Sequence, residues 1–340
     1  MKKFVDRRWP SVRVVALGGG TGLSAVLRGL KEHIAERGKR RPKQSIADLT
    51  AVVTVTDDGG SSGRLRREYR VLPPGDIRNC MVALSRDEHL LGDLFQYRFP
   101  AGSGLAGHSF GNLFLTALTN VTGDFPKAVQ VSAQVLAIRG RIFPSTAQNV
   151  TLQAELENGK IVAGETNISR SRKRIARVRL VPRRARPLPE VLAAIREADL
   201  ILVGPGSLYT SILPNLLVEQ MSEVIANSHA TRVYIANVMT QPGETQHYSV
   251  ADHVRAIYAH TRPGLFDFVV INRTPVSPRI LRRYAAEGAA PVDPSLAELE
   301  QMGLRYVTGD IAQQGSVVRH DQKRLARLLL EKFVKRVVVR

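Results

Sequence analysis

Hydrophobic residues along this chain fall into short β-branched runs that stop at glycine, hydroxyl or carboxylate residues, and these runs alternate with stretches of helical period. Val12 to Leu17 is such a run; it empties into Gly18-Gly19-Gly20-Thr21-Gly22, after which Leu23, Val26, Leu27 and Leu30 recur at helical spacing. The same pattern predicts strands over residues 12–17, 49–55, 199–203, 232–236, 268–271 and 304–308. It predicts helices over 23–36, 76–85, 111–120, 126–137, 188–198, 211–226, 250–259, 278–286 and 323–335. Between residues 151 and 181 the period shortens: Leu152, Ala154 and Leu156 alternate, Asn158-Gly159 marks a tight turn, and Ile161-Val162-Ala163 follows. The expected fold class is therefore α/β: a Rossmann-like, mostly parallel sheet with helices on both faces and a small antiparallel β insertion. The expected organisation is a basic N-terminal extension (1–11), one nucleotide-binding domain (12–322) with the insertion at about 145–182, and a basic C-terminal helix (323–340).

Composition adds little to the fold and more to the surroundings. With 340 residues and 44% hydrophobic content the chain can bury a sizeable core. No apolar run approaches the ~20 residues that span a bilayer, and the first residues, Met1-Lys2-Lys3-Phe4-Val5-Asp6-Arg7-Arg8, lack the apolar segment of a secretory signal. A cytoplasmic location is expected. Cys80 is the single cysteine, so no disulfide can form within the chain, and its apolar helical setting reads as structural. Basic residues outnumber acidic ones 49 to 30, and they concentrate in 37–43, 170–186 and 323–340. These runs lack the aromatic interleaving of a single-strand binder, which makes solvated loops the simpler reading and leaves a nucleic-acid or membrane-surface patch as the alternative.

Candidate chemistry sits where the strands end. Gly19, Gly20, Thr21 and Gly22 form a glycine turn entering a helix, where bare backbone amides and the helix N-terminus favour a diphosphate. The P-loop spacing fails, because no lysine follows. The second strand ends in Asp57-Asp58, followed by Gly60, Ser61, Ser62 and Arg64: carboxylates able to hold a ribose diol, a hydroxyl or Mg²⁺, then flexible amides, hydroxyls and an arginine for phosphate. Asp76 reads as the N-cap of the next helix, with Asn79 one turn on, and His108 and Asn112 enter another. In the later half Gly204, Gly206 and Ser207 repeat the glycine turn, and Asn237 ends a further strand. In an open α/β sheet these loops converge at one edge by topology.

On the residues Gly18 to Ser24, Asp57 to Arg66, Pro73 to Asn79, Gly107 to Asn112, Gly204 to Ser211 and Asn237 to Thr245, the chain resembles the YvcK-type gluconeogenesis-factor proteins of the CofD-like superfamily. The resemblance covers nearly all of residues 12–321. It implies a cytoplasmic protein that binds UDP-N-acetylglucosamine or UDP-glucose and supports cell shape, peptidoglycan synthesis and growth on gluconeogenic carbon, with no required cofactor and no assigned reaction. It also implies UDP-sugar roles for Tyr284, able to stack on uracil, and Arg319, able to clamp a diphosphate. Cell-wall synthesis proteins are the implied partners and a homodimer the implied assembly. The superfamily's 2-phospho-lactate transferases supply an enzyme alternative in which Asp57 and Asp58 bind Mg²⁺ with the nucleotide diphosphate or activate the accepting hydroxyl. A dinucleotide (NAD) site is the third reading, from Gly20-Thr21-Gly22-Leu23-Ser24-Ala25, although Asp57 lies beyond the usual ~20-residue spacing to a ribose-binding acid.

Overall fold

A computed structural model of the chain describes residues 11–35, 45–86, 90–102 and 104–334. The N-terminal extension expected over 1–11 therefore lies almost wholly outside the described residues, as do the basic stretch 37–43 and the last six residues.

Strands form where the β-branched runs predict them, and all but the one over 305–309 are largely buried on both faces. In chain order they are β1 (Val12–Gly18), β2 (Ile46–Val53) and β3 (Arg141–Pro144), then β4 (Thr151–Leu156), β5 (Ile161–Ala163) and β6 (Ile175–Val181). They continue with β7 (Leu200–Val203), β8 (Thr231–Ile235), β9 (Phe268–Asn272), β10 (Arg305–Gly309), β11 (Ala312–Gln314) and β12 (Val318–His320). Seven of them make one sheet in the order β10-β9-β8-β7-β1-β2-β3, every pair parallel. Starting from β1 the chain winds outward through β2 to β3, then returns to β7 on the other side of β1 and winds outward again. The winding reverses between β1 and β7, and in doubly wound sheets the ligand crevice lies at the carboxyl ends of the strands flanking such a reversal.

Helices cover the faces of this sheet. The helix Gly20–Lys31 buries Leu23, Val26, Leu27 and Leu30, the stripe read from the sequence, and packs against the helices Gly75–Leu84 and Gln322–Leu329. One continuous apolar core runs from β1 and β2 through β7 to β9 and reaches Phe333. The insertion is a three-stranded antiparallel sheet in the order β5-β4-β6, and β11 and β12 form a separate hairpin.

Four local expectations change. Residues Gly59 to Gly63, read as a flexible loop, instead open the helix Gly60–Tyr69, with Ser61, Ser62 and Leu65 buried; tertiary burial overrides the low helix propensity of glycine and serine. The single helix expected over 211–226 is broken into a π turn (Leu208–Ile212), a short helix (Leu213–Leu216) and a second helix (Met221–Ala226), with Gln220 at φ 64° between them. Asp76 is not the N-cap of its helix: Pro74 holds that position and Asp76 lies in the first turn. The C-terminal helix ends at Leu329 and continues as a π turn to Val334.

Candidate functional site

The glycine turns after β1 and β7 face each other across the winding reversal. A Cβ on Gly22 would stand 2.3 Å from the carbonyl oxygen of Pro205, so only glycine lets the two turns approach this closely. The helix Gly20–Lys31 begins at Gly19 with extended backbone and no side-chain cap, leaving amide donors at its N-terminus for an anion. On the other turn Asn237 holds Gly206 at both ends of its backbone: Oδ1 accepts from the Gly206 amide at 3.1 Å and Nδ2 donates to the Gly206 carbonyl at 2.8 Å. Gln241 donates to the Ser207 hydroxyl at 2.8 Å. Beneath both turns, Nδ2 of the buried Asn215 donates to the Gly18 carbonyl at 2.9 Å. The result is a rigid amide-lined cradle.

Carboxylates ring it. Asp57 lies in the loop that follows β2, with Oδ1 accepting the Gly59 amide at 2.9 Å. A Cβ on Gly19 would meet Asp76 Oδ2 at 2.7 Å, and one on Gly75 would meet Asp57 Oδ2 at 2.8 Å, which places both acids against the cradle. Burial, then the charge of Asp57, lifts the Asp76 carboxyl to about 6, opposed by the Gly20 amide and by Arg78. Asp58 is used differently: its Oδ1 accepts the Thr166 amide at 2.9 Å and the Thr166 hydroxyl at 2.7 Å, tying the insertion helix Glu165–Ser171 to the same loop. At the other end of that helix Ser169 donates to Glu244 Oε1 at 3.2 Å. Glu165 is thereby held among acids, and burial, followed by the charges of Asp76, Asp57, Glu244 and Asp58, pushes its carboxyl up to about 9. Burial raises Glu244 to about 7, opposed first by the hydrogen bond from Ser169. Arg78 is the buried cation beside them; burial and then Arg98 lower it to about 10.

The remaining sequence candidates divide. Ser61, buried in the first turn of its helix, bonds His108 Nδ1 at 3.0 Å and accepts from Asn112 Nδ2 at 3.1 Å. His108 is held below its usual range by burial and then by Arg64, which suits a neutral structural acceptor. Arg64 donates to the Ala106 carbonyl at 2.6 Å, so its guanidinium braces a loop. Asn79 accepts from Arg78 at 2.7 Å. Thr21 and Gly60 are exposed at the mouth, Ser62 is buried beside Gly75, and Gly204 has φ 85°. Tyr284 and Arg319 stand farther along the same edge. The Tyr284 hydroxyl accepts the Val318 amide at 2.9 Å, and its ring packs on the small apolar cluster that contains Val238 and Met239, the residues after Asn237. Arg319, next to Val318, is exposed.

Sequence reasoning missed Glu165, Glu244, Asn215 and Arg78. Glu244 and Arg78 lay inside quoted motifs, but nothing in the polar stretch around Glu165 signals that Asp58 would draw it inward. Among the described residues no three histidine, cysteine, aspartate or glutamate side chains are close enough to hold a metal ion. Also among the described residues, no helix is long and apolar enough to cross a membrane.

Comparison with known proteins agrees with this architecture. The family model described as 2-phospho-L-lactate transferase CofD matches residues 14–312. The gluconeogenesis factor of Bacillus subtilis (strain 168) is 50% identical over 320 residues, spanning 94% of this chain and 97% of that protein. That of Halalkalibacterium halodurans is 46% identical over 319 residues, spanning 94% and 95%. A crystal structure of a UPF0052-family protein from Bacillus halodurans superposes with a TM-score of 0.88 at 44% identity, covering 94% of this chain and 99% of that one.

Proposed function

Since this chain belongs to the CofD family, and within it aligns along nearly its whole length with gluconeogenesis factors, we propose that it is a UDP-sugar-binding regulator, taking UDP-N-acetylglucosamine or UDP-glucose at the winding reversal of its sheet. One observation carries the reading: the two glycine turns after β1 and β7, pressed together and fixed by Asn237 and Asn215, present amides to an anion without any lysine or arginine committed to a terminal phosphate. Such a cradle suits an internal diphosphate more than a triphosphate tail. Asn237 leads directly through Val238 and Met239 to Tyr284, and Tyr284 to Val318 and Arg319, which gives the nucleoside end of the ligand a path along the same edge. In this reading Asp57 and Asp76 orient hydroxyls of the ligand, and the protein acts in the cytoplasm in support of cell shape, peptidoglycan synthesis and gluconeogenic growth. Contact with cell-wall synthesis proteins and self-association as a dimer belong to the same proposal.

Asp76 favours a second reading. A carboxyl held near neutrality beside a second acid, Asp57, has the properties of a general base for an accepting hydroxyl, as transfer of a nucleotide-linked group would require. Calorimetric titration with UDP-N-acetylglucosamine, UDP-glucose, GDP and NAD⁺, each with and without Mg²⁺, separates the readings when the recovered ligand is checked for cleavage. Selective binding of an intact UDP-sugar, weakened about tenfold or more in Tyr284→Ala and Arg319→Ala, supports the regulator. Cleavage moves the assignment to a transferase, and undiminished binding by both variants removes Tyr284 and Arg319 from the site.

A further inference from the structure

A second cavity lies outside the nucleotide cradle, in the seam between the insertion and the helix Val250–His260, with a volume of about 560 Å³. That is within the range of small-molecule sites. Its floor is polar and buried. The Tyr209 and Tyr248 hydroxyls bond each other at 2.9 Å, and Glu244, 5% exposed, lines the same cavity with Oε2 carrying no hydrogen-bond partner. An unpartnered carboxylate oxygen buried to this degree is costly unless a ligand donates a hydrogen bond to it.

The walls and rim are of different chemistry. Ile175, Ala176, Ala256 and Ala259 supply an apolar side. Arg172 and Arg174 stand at the rim on the insertion; Arg174 acts electrostatically on Tyr209 and reaches Glu157 at 3.2 Å through a largely exposed pair. Such a pair is weak and easily exchanged. Arg172 has no ion pair among the described residues. The cavity is fixed in shape by His260, whose Nε2 accepts the Val178 amide at 3.0 Å and whose Nδ1 bonds the Ala256 carbonyl at 2.7 Å, joining the helix to β6.

We propose that this seam is a second binding site, for a small phosphorylated sugar. Its phosphate is held by Arg172 and Arg174, its hydroxyls by Glu244 Oε2 and the tyrosine pair, and its C–H face lies on the alanine wall. A carboxylate with a tyrosine hydroxyl pair is the donor and acceptor set a polyol satisfies, and paired guanidinium groups are the set a phosphate satisfies. The seam is connected to the nucleotide cradle. The helix Glu165–Ser171, which leads directly into Arg172, is held at its start by Asp58 and near its end by Glu244. Occupation of the seam therefore bears on the helix tied to Asp58 beside the cradle, which makes the second ligand an effector of the first.

The test is calorimetric titration of the full-length protein with glucose 6-phosphate, with inorganic phosphate and glucose as controls. Saturable binding is expected, at least about tenfold tighter than either control. The double variant Arg172→Gly/Arg174→Ala, in which glycine suits the φ of 49° at position 172, removes the phosphate contacts; Ala176→Trp fills the cavity from an exposed strand position and keeps every charge. Each is expected to weaken glucose 6-phosphate about tenfold while UDP-N-acetylglucosamine still binds as it does to the parent. Absence of saturable binding overturns the proposal, as does binding that both variants retain. So does displacement by UDP-N-acetylglucosamine accompanied by loss in Arg319→Ala, which would assign the sugar phosphate to the cradle. A protein that binds glucose 6-phosphate and no UDP-sugar would keep the seam site and refute the regulator reading, so the two fail separately.

Discussion

Glu165→Gln isolates the electrostatic cost of the carboxylate ring. In the parent the folded chain holds the Glu165 proton up to about pH 9, whereas the unfolded chain releases it near the ordinary glutamate value of 4.5. A carboxyl raised in the folded state contributes stability that is present at low pH and lost as pH rises from the unfolded value through the folded one. Asp76 and Glu244 behave likewise, but their folded values of about 6 and about 7 exhaust their effect by pH 7. Between pH 7 and pH 9 Glu165 therefore titrates alone within this group. One group changes stability by about 1.4 kcal/mol per pH unit, and solvent relaxation around a side chain that is not fully buried reduces the total over this window to about 2 kcal/mol. For a chain of this length that is a fall in melting temperature of about 3 °C. Thermal unfolding followed by circular dichroism at pH 7, 8 and 9 should show this fall in the parent and a flat response in Glu165→Gln, with the variant more stable at pH 9. Parallel slopes for parent and variant across the window would refute the placement of Glu165 among the acids.

Gly22→Ala puts a methyl group 2.3 Å from a backbone carbonyl that cannot rotate away, so the glycine turns must separate; a loss of about 2 kcal/mol in urea unfolding and loss of UDP-sugar binding are expected, and a variant that binds normally would show the turns to be less closely pressed. Asp58→Ala removes the acceptor of both Thr166 bonds, one amide and one hydroxyl. It should weaken the fold by about 2 kcal/mol and speed tryptic cleavage in the arginine-rich stretch after the insertion helix, and an unchanged cleavage pattern would show the insertion to be held by other contacts.

How much of this was legible follows from which interactions are local. The six expected strands are all present: five are apolar runs largely buried on both faces, which announce themselves without reference to the rest of the chain, and the sixth, β10, is a half-exposed edge strand. The glycine turns and Asp57 were legible because backbone approach and strand-end carboxylates leave a residue-type signature. The helix Gly60–Tyr69 was hidden because its first turn is made of the residues that ordinarily mark loops, and it forms only because Ser61 and Ser62 are buried against their partners. Arg64 reads as a phosphate ligand in sequence and turns out to brace the Ala106 carbonyl. Asp58, adjacent to Asp57 and chemically identical, points to a segment 108 residues away. For Tyr284 and Arg319 a binding role is suggested by resemblance alone, since a tyrosine on a helix and an arginine in a hairpin have no chemistry of their own to declare.

The winding reversal also decides when in the life of the chain a binding site exists. The bond from Asn215 to Gly18 joins residues 197 apart, and the turn at Gly22 is completed by Pro205 from the other half of the sheet. Residues up to the end of the insertion can pair β1, β2 and β3 during synthesis, yet they hold only one side of the cradle. Contacts of such long range form after the local ones, so the cradle is completed when β7 docks on β1 and no shorter nascent fragment contains both of its sides. Ligand affinity then rewards the finished fold alone, so any ligand of the cradle raises the amount of folded protein that persists.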